Sequence, residues 1–374
     1  MKFSITSGEL LKALSKANSV IQQKSPIEIL DNFLFDVSGS SLTISATNLE
    51  ISIRVILNVK GNTNGRIAVP SRRIYETVAA LPLNTQINFT ADLNSKKIVM
   101  NTEKGTYHLT GETAEEFPEL PKIEKANEFE FSNESISKII NKTKFAVSDD
   151  IHRPAMTGVL FQFKKSEFVA VSTDGHRLVK FSLKKFKSNK EQEIIIPQKT
   201  LNILGKLVEE YNCILSVVEQ KQIWFSFSNV ILFSRVIDEK YPNYETVIPN
   251  DNDKKLVIER QEIQSSVKRV GLYSSSQQNS MPIKFSLKKN LLTVSAENPE
   301  MGCNADEEIE CEYSGTNFET GFNSSYVIEM TSHISSKEIM FLFSTPTRAA
   351  IIKPNENESD EDVLMLIMPL RLNS

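Results

Sequence analysis

FSITSGELLKAL (residues 3–14) reads as a short alternating strand that runs directly into a helix. Phe3 and Ile5 alternate with polar neighbours, and Leu10 and Leu14 then recur at the spacing of one helix face. FEFSNESISKII (129–140) and KLVIERQEIQSSV (255–267) repeat that order of strand and helix. Leu10, Ile136 and Ile263 correspond at offsets of 126 and 127 residues, and Leu14, Ile140 and Val267 follow four positions on.

Other stretches keep the interval. LTISATN (42–48), VAVSTDG (169–175) and LTVSAEN (292–298) place Ser45, Ser172 and Ser295 at 127 and 123 residues apart. RIAVPSRRIYETVAAL (66–81) matches EIIIPQKTLNILGKLV (193–208), and ETGFNSSYVIEMTSHI (319–334) holds the equivalent place in the last third. Three echoes in one order imply a repeat of about 125 residues that fills the 374-residue chain. Each copy holds two strand–helix pieces joined by alternating runs such as NFLFDVS, QIWFSFSN and IKFSLKKN, which read as strands. The proline- and charge-rich connectors FPELPKIEKANE and YPNYETVIPND set expected domains of 1–124, 125–250 and 251–374. Tandem copies of one design point to an array or a ring rather than a catalytic cleft between unlike domains.

Composition narrows the class. Hydrophobic content of 40% and charged content of 24% suit a soluble globular protein, and no run reaches the roughly 18–20 apolar residues of a membrane span. The start lacks the apolar block of a secretory signal. Cys213, Cys303 and Cys311 lack CxxC spacing, so reduced thiols in a cytoplasm are expected and no metal or cofactor site is implied. A net charge of −4 speaks against an ordinary nucleic-acid binder. The six helices predicted near 7–17, 71–81, 134–144, 198–208, 261–271 and 324–334 nevertheless carry eleven Lys and Arg against five Glu. Their net +6 leaves −10 for the rest of the chain, so positive charge is concentrated on helices. The sixth departs from the pattern, with His333 but no Lys or Arg.

TDGHRL (173–178), YPNYETVIP (241–249), GFNSSYV (321–327) and the terminal LIMPLRL (366–372), set in a threefold repeat, resemble the bacterial DNA polymerase III beta subunit family, the sliding clamps. The likeness covers the whole chain. It implies an α+β fold of three tandem clamp domains, each a duplicated β-α-β-β-β unit. It further implies a head-to-tail homodimeric ring with helices lining the pore. Such a ring would encircle double-stranded DNA without reading its sequence. It would act as a processivity factor that tethers the DNA polymerase III alpha subunit, the clamp loader and other proteins with a clamp-binding motif. No catalysis and no membrane contact are implied.

The resemblance assigns TDGHRL to the wall of a groove for partner peptides. That groove would comprise Met156, Thr173, Gly175, His176, Arg177, Leu178, Pro242, Val247, Asn323, Tyr326, Thr347 and Ala349. Leu366, Met368, Pro369, Leu370 and Arg371 of the C-terminal segment would complete it. DNA contacts carry over to Lys24, Arg72, Arg73, Arg153 and Lys199, and the dimer seam to Tyr107 and Leu109 against Leu272 and Tyr273. Thr246 stands where relatives often have Arg, and Asn373–Ser374 extend past the usual terminal leucine. Two rival readings compete: a hydrolase using Asp174 and His176, and a monomeric peptide-binding scaffold without DNA function. Against the first, the sequence has no glycine-rich phosphate loop, no HExxH and no GxSxG.

Overall fold

The computed structural model describes all residues except 23–24, 123–125, 189, 209–211, 219–220, 276–280, 357–359 and 372–374, and the backbone alone of residue 62. Among the described residues, six α-helices lie where the apolar spacing predicts: α1 (Ser7–Asn18), α2 (Ser71–Ala79), α3 (Asn133–Thr143), α4 (Gln198–Leu207), α5 (Arg260–Val270) and α6 (Ser324–Ser332). α2 stops two residues short of the expectation because Leu81 precedes Pro82, and a residue before proline avoids the helical region. Each helix follows directly on a strand: Lys2–Thr6, Gly65–Pro70, Asn127–Phe131, Gln192–Pro197, Lys254–Glu259 and Phe318–Asn323. The six aligned residues Leu10, Ile136, Ile263, Leu14, Ile140 and Val267 are all buried, so the repeat in the sequence is a repeat of core positions. No helix among the described residues is long and apolar enough to cross a membrane.

Each repeat contains the β-α-β-β-β unit twice, and within a repeat the two units exchange first strands: each four-stranded piece holds the last three strands of one unit and the first strand of the other. The compact bodies, however, do not coincide with the repeats: one comprises residues 1–137 with 199–236, the other 138–198 with 237–374. Sheet continuity is the reason. In the first body, Ile51–Asn58 of repeat one pairs antiparallel with Val230–Arg235 of repeat two, fusing two four-stranded pieces into an eight-stranded sheet. In the second, Arg177–Leu183 of repeat two pairs with Glu361–Ile367 of repeat three, from Arg177↔Ile367 to Leu183↔Glu361, within a nine-stranded sheet. The second repeat is divided because its halves belong to different sheets. Thr106–Thr110 remains the outer strand of a five-stranded sheet in the first body, and Cys303–Glu310 the outer strand of a four-stranded sheet in the second.

In the second body a layered stack also joins repeats two and three. The Arg177 guanidinium lies over the Tyr326 ring at 4.6 Å and over the Phe145 ring at 5.4 Å. Phe145 in turn stacks flat on His333, with centroids 4.1 Å apart and planes 1° from parallel. Tyr326 and Glu329 lie three residues apart on α6, and His333 caps its end, so one face of the helix meets the stack. Arg177 Nη1 donates to Glu329 and Nη2 to the Phe145 carbonyl at 2.9 Å. Lys142 Nζ donates to the His333 carbonyl at 2.6 Å and Lys138 Nζ to Glu361 at 2.8 Å, so two helix lysines are committed to this junction.

Burial pushes the His333 imidazole below its ordinary value; Lys142, Arg177 and Lys144 act in the same direction and Glu329 opposes them. A group held low in the folded state stabilises it above about pH 6.5, and that contribution is lost as pH falls through the lowered folded value. The thermal midpoint should therefore drop between pH 7.5 and pH 5 by less in His333→Phe, which keeps the ring stack, than in the wild type. Equal drops in the two proteins would rule His333 out as the source.

Candidate peptide-binding groove

TDGHRL builds a turn whose internal bonds occur twice in the chain. Thr173 Oγ1 donates to the Arg177 carbonyl (2.7 Å) and accepts from the Gly175 N–H (3.1 Å), while Asp174 Oδ1 accepts from the His176 and Arg177 N–H groups (2.8 and 2.9 Å). In repeat one, Thr47 Oγ1 donates to the Ile51 carbonyl and accepts from Leu49 N–H, and Asn48 Oδ1 accepts from Glu50 and Ile51 N–H. Gly175 (φ 91°) and Leu49 (φ 73°) take the same left-handed step. Asp174 is thus a turn former like Asn48. Its remaining oxygen, Oδ2, accepts from Arg177 Nε at 3.0 Å, so both oxygens of Asp174 are committed to the turn and its arginine.

The junction strands bring together several of the residues that the resemblance assigns to a groove. Leu178 faces Leu366 across the sheet, and both join Ala349, Val171, Tyr241 and Tyr244 in one buried cluster. Met156 is buried beside the turn: a Cβ built on Gly175 would lie 3.7 Å from its Cε. Val247 and Met368 stand above this floor at 54% and 43% exposure, too open for core residues, with Pro242 and Thr347 also exposed. The C-terminal segment is fastened at both sides, Met368 N–H to the His176 carbonyl and Leu370 N–H to the Gly321 carbonyl, each 2.8 Å. Pro369 and Leu370 are consequently half-buried, and Arg371 is exposed. Asn323 is buried as the cap of α6, accepting from the Ser325 N–H at 3.1 Å. Thr246 donates to the Asn243 carbonyl in the turn below Val247.

A cavity of about 450 Å³ adjoins the turn, lined by Ser148, Asp149, Asp150, Arg153, His176, Arg177 and Tyr326 among others. It receives Arg153, grouped by sequence with the DNA contacts, whose Nε lies 3.5 Å from Asp150. Within the first body, Arg72 and Arg73 open α2 and Lys199 opens α4, all exposed; Arg72 pairs with Glu76 one turn on. Lys24 lies outside the described residues. Tyr107 and Leu109 share one face of the outer strand Thr106–Thr110, half-buried. Leu272 and Tyr273, in a short 3-10 turn after α5, are 82% and 44% exposed.

Sequence reasoning did not single out Tyr241, Tyr244, Phe145 or Glu329. The two tyrosines sit inside the quoted YPNYETVIP. Glu329 had a signal too, as the lone charged residue of a helix without Lys or Arg and one turn from Tyr326.

Three family models match the chain in order, describing the N-terminal, central and C-terminal domains of the DNA polymerase III beta subunit over residues 1–121, 130–243 and 245–371. The beta sliding clamps of Pseudomonas aeruginosa and Caulobacter vibrioides are each 28% identical to it, over the whole of both chains. A crystal structure of a Pseudomonas aeruginosa DnaN sliding clamp bound to griselimycin matches with a TM-score of 0.93 at 26% identity, again over both full chains. That of the Bacillus subtilis DNA polymerase sliding clamp matches equally well at 25% identity. With fold, repeat and motifs in agreement from end to end, the chain belongs to the DNA polymerase III beta subunit family, the sliding clamps of DNA replication.

Proposed function

We propose that two copies of this chain close head to tail into a ring around duplex DNA, and that the groove beside TDGHRL tethers replication proteins to it. The carrying observation is topological. At both internal junctions, the fourth strand of one repeat's first unit pairs with the fourth strand of the next repeat's second unit. By that rule, Cys303–Glu310 of repeat three and Thr106–Thr110 of repeat one each lack a mate in the pattern. A second copy supplies both mates, and two such seams close a heterologous contact after two chains. Tyr107 and Leu109 lie on one of these strands, and the exposed Leu272 and Tyr273 follow α5 beside the other.

The rest of the reading follows from charge and enclosure. Twelve helices bearing Arg73, Lys199, Lys206 and Lys268 at their surfaces would face the phosphates, and contacts of that kind ignore sequence and weaken with salt. Retention then rests on topology, with no covalent step, so the protein is read as a non-catalytic subunit working in the cytoplasm. The domains are placed at 1–124, 125–250 and 251–374. Partners would be the polymerase alpha subunit, the clamp loader and other proteins with a short motif of apolar side chains. Val247, Met368 and Leu370 offer adaptable apolar contacts, and the exposed His176 gives a polar rim. A Caulobacter crescentus clamp binds polyethylene glycol at its beta-motif tethering region, and two relatives bind griselimycin.

Light scattering should give about twice 42.2 kDa for the wild type and about half that for Leu272→Asp, which puts a charge into the seam. An unshifted mass would remove Leu272 from the interface. Griselimycin should bind the wild type, and the double change Met368→Ala/Leu370→Ala should weaken it by more than about thirtyfold while the dimer mass persists. Unchanged affinity would move the site elsewhere. Protein loaded on a closed circle should stay bound through gel filtration and run off once the DNA is cut; equal retention on both forms would contradict sliding.

A further inference from the structure

The resemblance groups Arg177 with the groove wall, but its surroundings give it a different task. Each nitrogen of the guanidinium makes one hydrogen bond: Nε to Asp174, Nη1 to Glu329 and Nη2 to the Phe145 carbonyl. Tyr326 and Phe145 lie against it at 4.6 and 5.4 Å, and the side chain is only 9% exposed. The cation is thus already engaged within the fold and offers a partner little surface. Tyr326 itself is half-buried, and among the described residues no hydrogen bond holds its hydroxyl. The ring is held by its helix, by the cation beneath it and by the His176 imidazole, whose centroid lies 6.3 Å away with planes 27° from parallel.

Glu329 is the α6 carboxylate that fastens this cation. We propose that Glu329 is a positioning residue for partner binding: it holds Arg177 flat under Tyr326, so that the ring meets an incoming apolar side chain as a ready-made ledge. Without that carboxylate, Nη1 loses a charge-assisted bond and the guanidinium can tilt towards water. The cost of ordering Tyr326 then falls on the binding step.

The inference rests on the groove reading above, and a double-mutant cycle with griselimycin as probe, read by titration calorimetry, separates the two. Glu329→Ala should weaken binding about tenfold and Tyr326→Ala by at least as much. The double variant should fall within twofold of Tyr326→Ala alone, which general loosening of the fold would not produce. Glu329→Gln, which keeps an acceptor for Nη1, should lose about threefold, and that loss should also vanish beside Tyr326→Ala. If Glu329→Ala does not fold, the Gln cycle decides by the same rule. Additive losses, or a Glu329→Ala affinity within twofold of the wild type while Met368→Ala/Leu370→Ala abolishes binding, overturn this inference alone. Full binding by Met368→Ala/Leu370→Ala overturns the groove reading and this inference with it.

Discussion

An extended strand at the edge of a sheet carries a row of N–H and C=O groups that must be paired or solvated. The architecture of this chain follows from how its repeats meet that demand. No four-stranded piece is closed on itself, so each can lend its last strand to the next repeat. Seven consecutive residues, Arg177–Leu183, are matched one for one by Ile367–Glu361 in the second body. Side chains on the same strands, Leu178 and Leu366 among them, then bury a shared cluster. A single main-chain bond contributes only about 0.5–1.5 kcal/mol net, whereas slipping the register by one residue would turn the whole buried set to the wrong face. Register and core thus enforce each other, and the compact bodies straddle the repeats for that reason.

Charge is arranged by the same economy. Of the basic residues on the helices, Arg72 pairs with Glu76, Lys138 with Glu361, and Arg269 makes two bonds to Glu307, while Lys142 caps the end of α6. The exposed remainder, Arg73, Lys199, Lys206 and Lys268 among them, is a modest set. Surface cations in salt are screened beyond roughly 8–10 Å, so a few of them attract phosphates without gripping any one. A protein that must both hold DNA and move along it is better served by that than by a dense basic surface.

The repeat was legible because the positions that recur are core positions: Leu10, Ile136 and Ile263 had to be apolar in every copy, and so left a period in the sequence. Helices were legible for the same reason, with errors confined to ends such as the one before Pro82. Contacts that arise once leave no period. Arg177 meets Glu329 across 152 positions of sequence and Phe145 through a carbonyl that any residue would offer. Arg153 reads as a surface cation, and only the folded chain brings it to Gly175 and Asp150. The groove residues came from motif likeness rather than from pattern, since Leu178 and Leu366 differ in no way from ordinary strand leucines until the junction pairs them.

The two copies of the turn separate what is structural in TDGHRL from what was added. Thr47–Ile51 makes the same hydrogen bonds with Asn in place of Asp and Leu in place of Gly, so the turn needs neither an acid nor an arginine. An aspartate at that position does one further thing: its second oxygen holds the guanidinium of the side chain three residues on. Once Arg177 is present, burying it demands an anionic partner, because a desolvated cation left without one costs several kcal/mol. Asp174 and the Phe145 carbonyl come from repeat two, and Glu329 comes from α6 of repeat three, so the cation ties the two repeats beside Tyr326. A turn that serves elsewhere as a plain strand connector is here the point at which one side chain links repeats two and three.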